Sequence, residues 1–157
     1  MKVLLMAVGR TQSQLMRQGI DMYLDRLRHY LPVEVKIVDD VKASRSLTRE
    51  AQKQQEGMAI LRQLQPGDRV ILLDENGREH TSREFASVIE RHLGSGLKRL
   101  VFVVGGPFGF SSEVYSRADS KLSLSRMTFN HEMVRLFFAE QLYRAMTIIR
   151  GESYHHD

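Results

Sequence analysis

Continuous apolar runs mark the strands that the sequence predicts. Residues 3–8 are apolar without interruption and end at Gly9, a pattern typical of a strand buried on both faces of a sheet. Residues 70–73 and 100–104 repeat this pattern, while residues 33–38 alternate as VEVKIV and predict a half-covered strand. A brief further strand is expected at residues 122–124.

Helical spacing of apolar residues fills the intervals between these strands. Ser13 and Ser82 are candidate side-chain caps for the first and third helices. Pro32 ends the first helical segment, and Gly94 stops the third. The predicted helices start after Ser13 and then cover residues 48–64, 82–93, 112–118 and 131–149.

Two local patterns give more specific predictions. In the second helix, the spacing places Ala51, Met58 and Leu61 on the inner face. The pair Asn76–Gly77 is typical of a tight turn. We therefore expect the third strand to end before this pair.

Strands that alternate with helices predict an α/β domain with a mostly parallel sheet and helices on both faces. A chain of 157 residues is expected to form a single domain, residues 1–157. In open sheets of this kind, ligands bind beyond the carboxyl ends of the strands. Three such ends are candidates for a site: Leu73–Asp74, Gly105–Gly106 and residues 124–129.

The last predicted helix is apolar around nearly its whole circumference, so all of its sides should be buried. One small sheet covers only one side, which predicts that a second copy of the chain covers the rest in a homodimer. A fully internal helix is the alternative. Glu140 and Arg144 lie four residues apart and can pair, either as a structural ion pair or within a site.

Composition narrows the class of protein. The chain has no cysteine, and no apolar run approaches the length of a membrane span. A cytoplasmic protein that does not bind membranes is therefore expected. The net charge of +4 permits a polyanionic partner without requiring one. His155 and His156 lack a third placed ligand, so no metal site is predicted.

The segment GGPFGF, residues 105–110, follows a predicted buried strand. It matches neither the dinucleotide-binding glycine motif nor the phosphate-binding loop, which disfavours a phosphate site. Pro107 also removes a backbone N–H that such a loop would use. The segment forms either a simple tight turn or a wall for a flat ligand that binds to the backbone.

Three segments together resemble the RlmH family, a group of SPOUT-class methyltransferases. They are VFVVGGPFGF, LSLSRMTFNHEMVR and EQLYRAMTIIRGESYHH, within a likeness that runs over essentially the whole chain. The resemblance implies methylation of N3 of a pseudouridine in large-subunit (23S) ribosomal RNA, on the assembled ribosome. It also implies a C-terminal trefoil knot, S-adenosyl-L-methionine as cofactor, and a homodimer that brings one subunit's cofactor pocket near residues of the other.

The same resemblance implies a set of cofactor-binding residues in three loops. Two positions depart from the family pattern: Asn130 stands where relatives often have proline, and His156 stands where other members have a basic residue. The implied cofactor residues are Leu73, Gly105, Gly106, Leu124, Ser125, Arg126, Met127, Thr128 and Phe129.

Methyl transfer to N3 needs an aligned methyl donor and the loss of the N3 proton. The candidates for catalysis are His131, Glu140, Arg144, Tyr154 and His155. We expect Arg144 and the C-terminal tail to bind and polarise the base. His131 or His155 would then accept the proton.

Two other functions stay open on the residues alone: a non-catalytic ribosome-binding factor, and an enzyme that acts on small nucleotides. Lys42, Arg45, Arg49 and Lys53 form a basic stretch. This stretch is either a solvated surface or a set of phosphate contacts to RNA.

Overall fold

Strands and helices alternate along the chain, as the apolar pattern predicts. The computed structural model describes residues 1–41 and 47–157, so Lys42 and Arg45 of the basic stretch lie outside the described residues. The elements are β1 (Lys2–Val8), α1 (Gln14–Leu27), β2 (Val33–Val38), α2 (Arg49–Leu61), β3 (Arg69–Glu79), α3 (Ser82–Leu93), β4 (Arg99–Val104), α4 (Ser112–Arg117), β5 (Ser120–Ser123) and α5 (His131–Ile149).

The described strands form one sheet in the order β2-β1-β4-β3-β5, and every neighbouring pair is parallel. Leu73 of β3 is in register with Val104 of β4 and with Leu122 of β5. The carboxyl ends of these three strands therefore lie side by side at one edge. The loops that follow them must leave the sheet together.

Helices cover both faces of the sheet, which confirms the predicted class. Strand side chains alternate between the faces, so Phe102 packs with α1, α3 and α5, and Val103 packs with α2 and α4. Phe138 of α5 lies 4.5 Å from Phe102 between ring centroids, at the centre of the first core. The trefoil knot stays a prediction. Within the two described ranges, no helix combines the length and apolarity needed to cross a membrane.

The predicted inner face of α2 is wrong at Met58, whereas Leu61 is partly buried against the core beneath α2 and α4, as predicted. Met58 is 54% exposed, and the buried residues are Glu56, Gly57 and Ile60. The rotation of the helix follows from its close approach to α4. A Cβ atom at Gly57 would lie 2.3 Å from Oγ of Ser111, so the glycine must face α4.

The turn predicted at Asn76–Gly77 is also wrong, because β3 continues through both residues to Glu79. The pairing of β3 with β5 instead shifts register between Leu73 and Arg78. A Cβ atom at Gly77 would lie 2.7 Å from backbone atoms of β5. The glycine is needed for this close approach of two strands, which is a tertiary constraint.

The cap of helix α3 lies one residue before the predicted cap, Ser82, which is the first residue of the helix. Thr81 is the cap residue: its hydroxyl accepts from the backbone N–H of Glu84, and the Glu84 carboxylate accepts from the backbone N–H of Thr81. This reciprocal pair satisfies two N–H groups that the helix start leaves free.

Gly77→Ala tests the register shift. Forcing a Cβ atom against the backbone of β5 should lower the free energy of unfolding by roughly 1–3 kcal/mol. The control is Gly94→Ala, because Gly94 has a helical φ of -80° and a Cβ atom there would come no closer than 3.7 Å to its neighbours. Urea unfolding at equal protein concentration measures both changes. Equal stabilities of the two variants would contradict the assignment.

Candidate active site

A cleft opens at the edge of the sheet where β3, β4 and β5 end. Its volume is about 560 Å³, within the range of small-molecule sites. Its walls come from the carboxyl end of β3, the glycine turn of residues 105–110 after β4, and the segment between β5 and α5. The parallel pairing of the three strands is what brings these walls together.

The glycine turn is closed by a hydrogen bond from the backbone N–H of Gly109 to the carbonyl of Gly106, at 3.2 Å. Gly109 has a φ of 78°, which favours glycine. Gly105 and Gly106 do not have positive φ angles. A Cβ atom at Gly105 would lie 3.1 Å from the ring of Phe110, and one at Gly106 would lie 2.4 Å from Oε2 of Glu56.

The two glycines at the end of β4 therefore serve close packing inside the protein. Both interpretations of this segment, a tight turn and a wall for a ligand, are compatible with this packing, because protein side chains occupy only the space behind the turn. The opposite side of the same turn faces the cleft. The turn can thus be thin enough to present its backbone to a ligand while it is supported from behind.

Eight of the nine residues that the resemblance implied for the cofactor line this cleft. The ninth, Arg126, does not: its side chain is 86% exposed, and its Nε lies 3.6 Å from Oε1 of Glu79. Met127 is 74% exposed at the edge of the cleft. The eight residues are Leu73, Gly105, Gly106, Leu124, Ser125, Met127, Thr128 and Phe129.

Of the acidic and hydroxyl side chains at the cleft, Thr128 was a sequence candidate and Asp74 was named as part of a strand end, whereas Glu75 and Tyr115 were not predicted. Tyr115 donates a hydrogen bond to Asp74 at 2.5 Å, and Thr128 donates one to Glu75 at 2.6 Å. Burial and the hydrogen bond to Asp74 raise the pKa of Tyr115 to about 12, so Tyr115 stays protonated. The two carboxylates give this edge of the cleft a negative charge, which suits a cationic ligand. Their position directly after the apolar run of β3 was the sequence signal.

The candidate catalytic residues fall into two groups. His131 lines the cleft at the start of α5. Glu140, Arg144, Tyr154 and His155 instead form a cluster, here called the tail cluster, where the C-terminal tail folds back on α5.

One carboxylate joins the members of the tail cluster. Oε1 of Glu140 accepts from Arg144 Nη2 at 2.5 Å, from Arg144 Nε at 3.0 Å and from the Tyr154 hydroxyl at 3.0 Å. Nη1 of Arg144 lies 3.3 Å from Nδ1 of His155. The Arg144 guanidinium also lies over the Tyr154 ring, 4.7 Å from its centroid. These contacts fix the four side chains relative to one another.

The tail cluster has a definite pattern of charge. Hydrogen bonding to Glu140 raises the pKa of Arg144, so its guanidinium stays cationic. Burial, followed by hydrogen bonds to Tyr23 and Glu140, raises the pKa of Tyr154 well above its ordinary value. Tyr154 can therefore donate a hydrogen bond, but it is not a base near neutral pH. Tyr23, on α1, was not a sequence candidate.

The tail cluster does not reach the cleft of its own chain. His131 and Arg144 are both in α5, and at a rise of 1.5 Å per residue they are about 20 Å apart along its axis. The expectation that all five candidates cluster together is therefore not met within one chain.

Apolar side chains remain exposed along α1 and α5. Leu15 is 72% exposed, Met22 44% and Phe137 37%. The two helices pack against each other, and a Cβ atom at Gly19 would lie 2.8 Å from Cδ1 of Leu136. Exposed apolar residues on two adjoining helices are typical of a surface that another chain covers.

No group of three or more His, Cys, Asp or Glu side chains in residues 1–41 and 47–157 is arranged to hold a metal ion.

The family model and the similar proteins described below indicate the same family. A family model described as "Predicted SPOUT methyltransferase" matches residues 1–155. A protein of Christiangramia forsetii, "Ribosomal RNA large subunit methyltransferase H", is 51% identical over 156 residues, 99% of each chain. A protein with the same name from Porphyromonas gingivalis is 49% identical over the full length of both chains.

Two solved structures share the fold at low sequence identity. A probable methyltransferase from Bordetella pertussis has a TM-score of 0.54 and 11% identity, covering 92% of this chain and 94% of its own. A probable methylase family protein from Haemophilus influenzae has a TM-score of 0.52 and 13% identity, covering 99% and 70% respectively.

Proposed function

The chain belongs to the SPOUT methyltransferase family, and from this premise we propose that it methylates N3 of a pseudouridine in large-subunit ribosomal RNA with S-adenosylmethionine as methyl donor. The observation that carries the proposal is the single cleft formed by three loops at adjacent strand ends. Relatives about half identical over the whole chain, which bear the name of a ribosomal RNA large subunit methyltransferase, support the RNA substrate.

The cleft fits S-adenosylmethionine in shape and charge. Leu73, Leu122 and Leu124 provide apolar walls for an adenine ring, and the glycine turn offers backbone groups for hydrogen bonds. Asp74 and Glu75 line the cleft with carboxylates that complement a sulfonium or ammonium group. When bound, S-adenosylmethionine supplies an electrophilic methyl group.

We propose that the complete active site belongs to a homodimer. Within one chain the tail cluster lies about 20 Å along α5 from His131, so a second copy must supply it. The exposed apolar residues of α1 and α5 offer a surface for this second copy. In the dimer, the tail cluster of one subunit faces the cleft of the other.

The chemistry assigns separate tasks to the polar groups. Arg144 carries a permanent positive charge and stabilises the negative charge that develops on the pseudouridine imide. Tyr154 donates a hydrogen bond to orient the base. His131 or His155 would accept the N3 proton on an imidazole nitrogen. The electron pair left on N3 would then form the bond to the methyl carbon while the carbon–sulfonium bond breaks, and neutral S-adenosylhomocysteine would leave.

The other candidate functions have less support. A factor without catalysis would not need the cleft, and the family of the chain consists of methyltransferases.

We place the activity on the assembled ribosome in the cytoplasm, because a chain this small needs a preformed RNA surface for docking. Arg49, whose guanidinium lies 5.3 Å from the Phe108 ring centroid beside the cleft, is suited to contact phosphate there.

A methylation assay with labelled S-adenosylmethionine tests the reaction. We expect label at N3 of a pseudouridine in assembled ribosomes, and much less label in free ribosomal RNA or separate subunits, because docking supplies the orientation. Digestion of the RNA and chromatography of its nucleosides identify the product. Label on free nucleosides alone would contradict the proposed RNA substrate.

Mixing two inactive variants tests the shared site. Arg144→Ala removes the cation of the tail cluster, and Leu124→Arg places a charge in the cleft wall; each homodimer should be inactive. After equal mixing with subunit exchange, half of the dimers carry one site with both parts intact, so activity should recover to roughly a quarter of wild type. No recovery after proven exchange would place the tail cluster and cleft of one chain in the same site.

Alanine substitution tests the proton acceptor. If the imidazole of His131 or His155 accepts the N3 proton, one of the two variants should lose roughly 100-fold to 10,000-fold in the single-turnover rate. Rapid quench at saturating methyl donor measures this rate without product release. His29→Ala, at an exposed histidine, is the matched control. Rates near wild type for both His131→Ala and His155→Ala would remove histidine from this role.

A further inference from the structure

Glu56 of α2 is a buried carboxyl whose hydrogen bonding is incomplete. It is 2% exposed. Its Oε1 accepts a hydrogen bond from Nε2 of Gln52 at 3.0 Å, while its Oε2 has no partner among the described residues. Buried polar atoms are normally paired, so an unpaired carboxyl oxygen in a core points to a specific role.

The unpaired oxygen lies directly behind the glycine turn. A Cβ atom at Gly106 would come within 2.4 Å of Oε2 and 2.9 Å of Cδ of Glu56. The other side of Gly106 lines the cleft. Glu56 does not line the cleft itself, so its carboxyl supports this wall from the interior of the protein.

The surroundings of Glu56 favour a neutral acid. Among residues 1–41 and 47–157, the charged group that faces it is Asp40, which follows β2 and adds repulsion. Gln52 on its own helix and the backbone of the glycine turn are uncharged. No lysine, arginine or histidine of the described chain forms an ion pair with it. Burial raises the pKa of Glu56, with a smaller contribution from Asp40, while the hydrogen bond from Gln52 opposes this shift.

We propose that Glu56 is a positioning residue whose buried carboxyl, set against Gly106, holds the Gly105–Gly106 wall of the cleft in the shape that accepts the methyl donor. This inference rests on the proposed function, because the ligand of the cleft is taken to be S-adenosylmethionine. Ionisation would place an unpaired negative charge behind the turn and disturb the wall. The affinity for the methyl donor should therefore fall as the pH rises through the pKa of Glu56.

Two substitutions separate the carboxyl's shape from its charge. Glu56→Gln keeps the shape and cannot ionise, whereas Glu56→Ala leaves the turn unsupported. Glu50→Gln is the matched control on the same helix, because the Glu50 side chain is 66% exposed and pairs with Lys53. Calorimetric titration with S-adenosylmethionine gives the dissociation constants of the three variants and of wild type, from about pH 6 to about pH 9, where raised carboxyl pKa values fall.

The expected results differ for each variant. Near neutral pH, Glu56→Ala should bind S-adenosylmethionine roughly fivefold to tenfold more weakly, and Glu56→Gln within about twofold of wild type. At alkaline pH, wild type and Glu50→Gln should lose more affinity than Glu56→Gln. Titration of the ligand's own amino group affects all four proteins equally. The ratio of the wild-type dissociation constant to that of Glu56→Gln at each pH therefore reports the titration of Glu56 alone.

Unfolding in urea gives a readout that does not depend on the ligand. A carboxyl whose pKa is raised on folding binds its proton more tightly in the folded state. The free energy of unfolding of wild type should therefore fall as the pH rises from about 4.5, the ordinary pKa, through the folded value. Glu56→Gln should not show the part of this decrease in the free energy of unfolding that comes from ionisation of Glu56.

Three results would overturn the inference. The first is a folded Glu56→Ala that binds S-adenosylmethionine as tightly as wild type does. The second is a loss of affinity in Glu56→Gln equal to that in Glu56→Ala. The third is the same pH dependence of affinity in wild type and Glu56→Gln. If Glu56→Ala does not fold, the inference is tested by comparing the pH dependence of S-adenosylmethionine affinity in Glu56→Gln and wild type. Wild type that does not bind S-adenosylmethionine at all would refute the proposed function instead, and the unfolding profile would still test the neutral acid.

Discussion

The parallel pairing of β3 with both β4 and β5 is the constraint on which the candidate site depends. Leu73 is in register with Val104 on one side and Leu122 on the other, so β3 shifts register at the height where β4 and β5 end. If either neighbour ran antiparallel, its following loop would leave from the opposite edge and the cleft would lose a wall. The fully apolar interiors of these strands allow burial on both faces, which a parallel sheet between two helical layers requires.

Helix α5 connects the cleft to the tail cluster and also keeps them apart. Arg135 in its second turn is 1% exposed, and its guanidinium donates to the carbonyls of Val8 and Gly9 and to Oγ1 of Thr11. Burial lowers the pKa of this guanidinium, and the three oxygens offset the cost of burying a cation that forms no ion pair within the described part of the chain. The start of α5 is thereby fixed to the end of β1, which holds His131 beside the cleft. A rigid helix then carries Arg144 about 20 Å away, and a fixed distance of that size is what makes a second subunit necessary to the proposed reaction.

The features that the sequence predicts well are those that follow from local pattern. The five strands and α5 were predictable because complete burial leaves an apolar run and helical packing leaves a regular spacing. The rotation of α2, the role of Gly77 and the exposure of Arg126 were not predictable in this way, since each depends on how closely two distant segments approach. In the site, residues near the strand ends were found, but the contacts of Tyr154 and His155 with Glu140 and Arg144 depend on how the tail folds back. The separation of His131 from Arg144, in contrast, follows from the predicted helix and its rise per residue. Asp74 was within reach of sequence reasoning, because a polar residue directly after a buried strand lies at the ligand-binding edge.

The glycine turn shows why a motif alone is weak evidence of a ligand. A Cβ atom at Gly105 would press on the ring of Phe110, and one at Gly106 on the carboxyl of Glu56, so packing favours both glycines even with an empty cleft. Packing explains the presence of the two glycines. Only the side of the turn that lines the cleft is available to contact a ligand. The evidence for a ligand site is therefore the cleft that this thin wall forms together with two neighbouring segments at the same edge of the sheet. A residue such as Glu56, which contacts the wall and not the cleft, can in this arrangement affect binding through the position of backbone atoms alone.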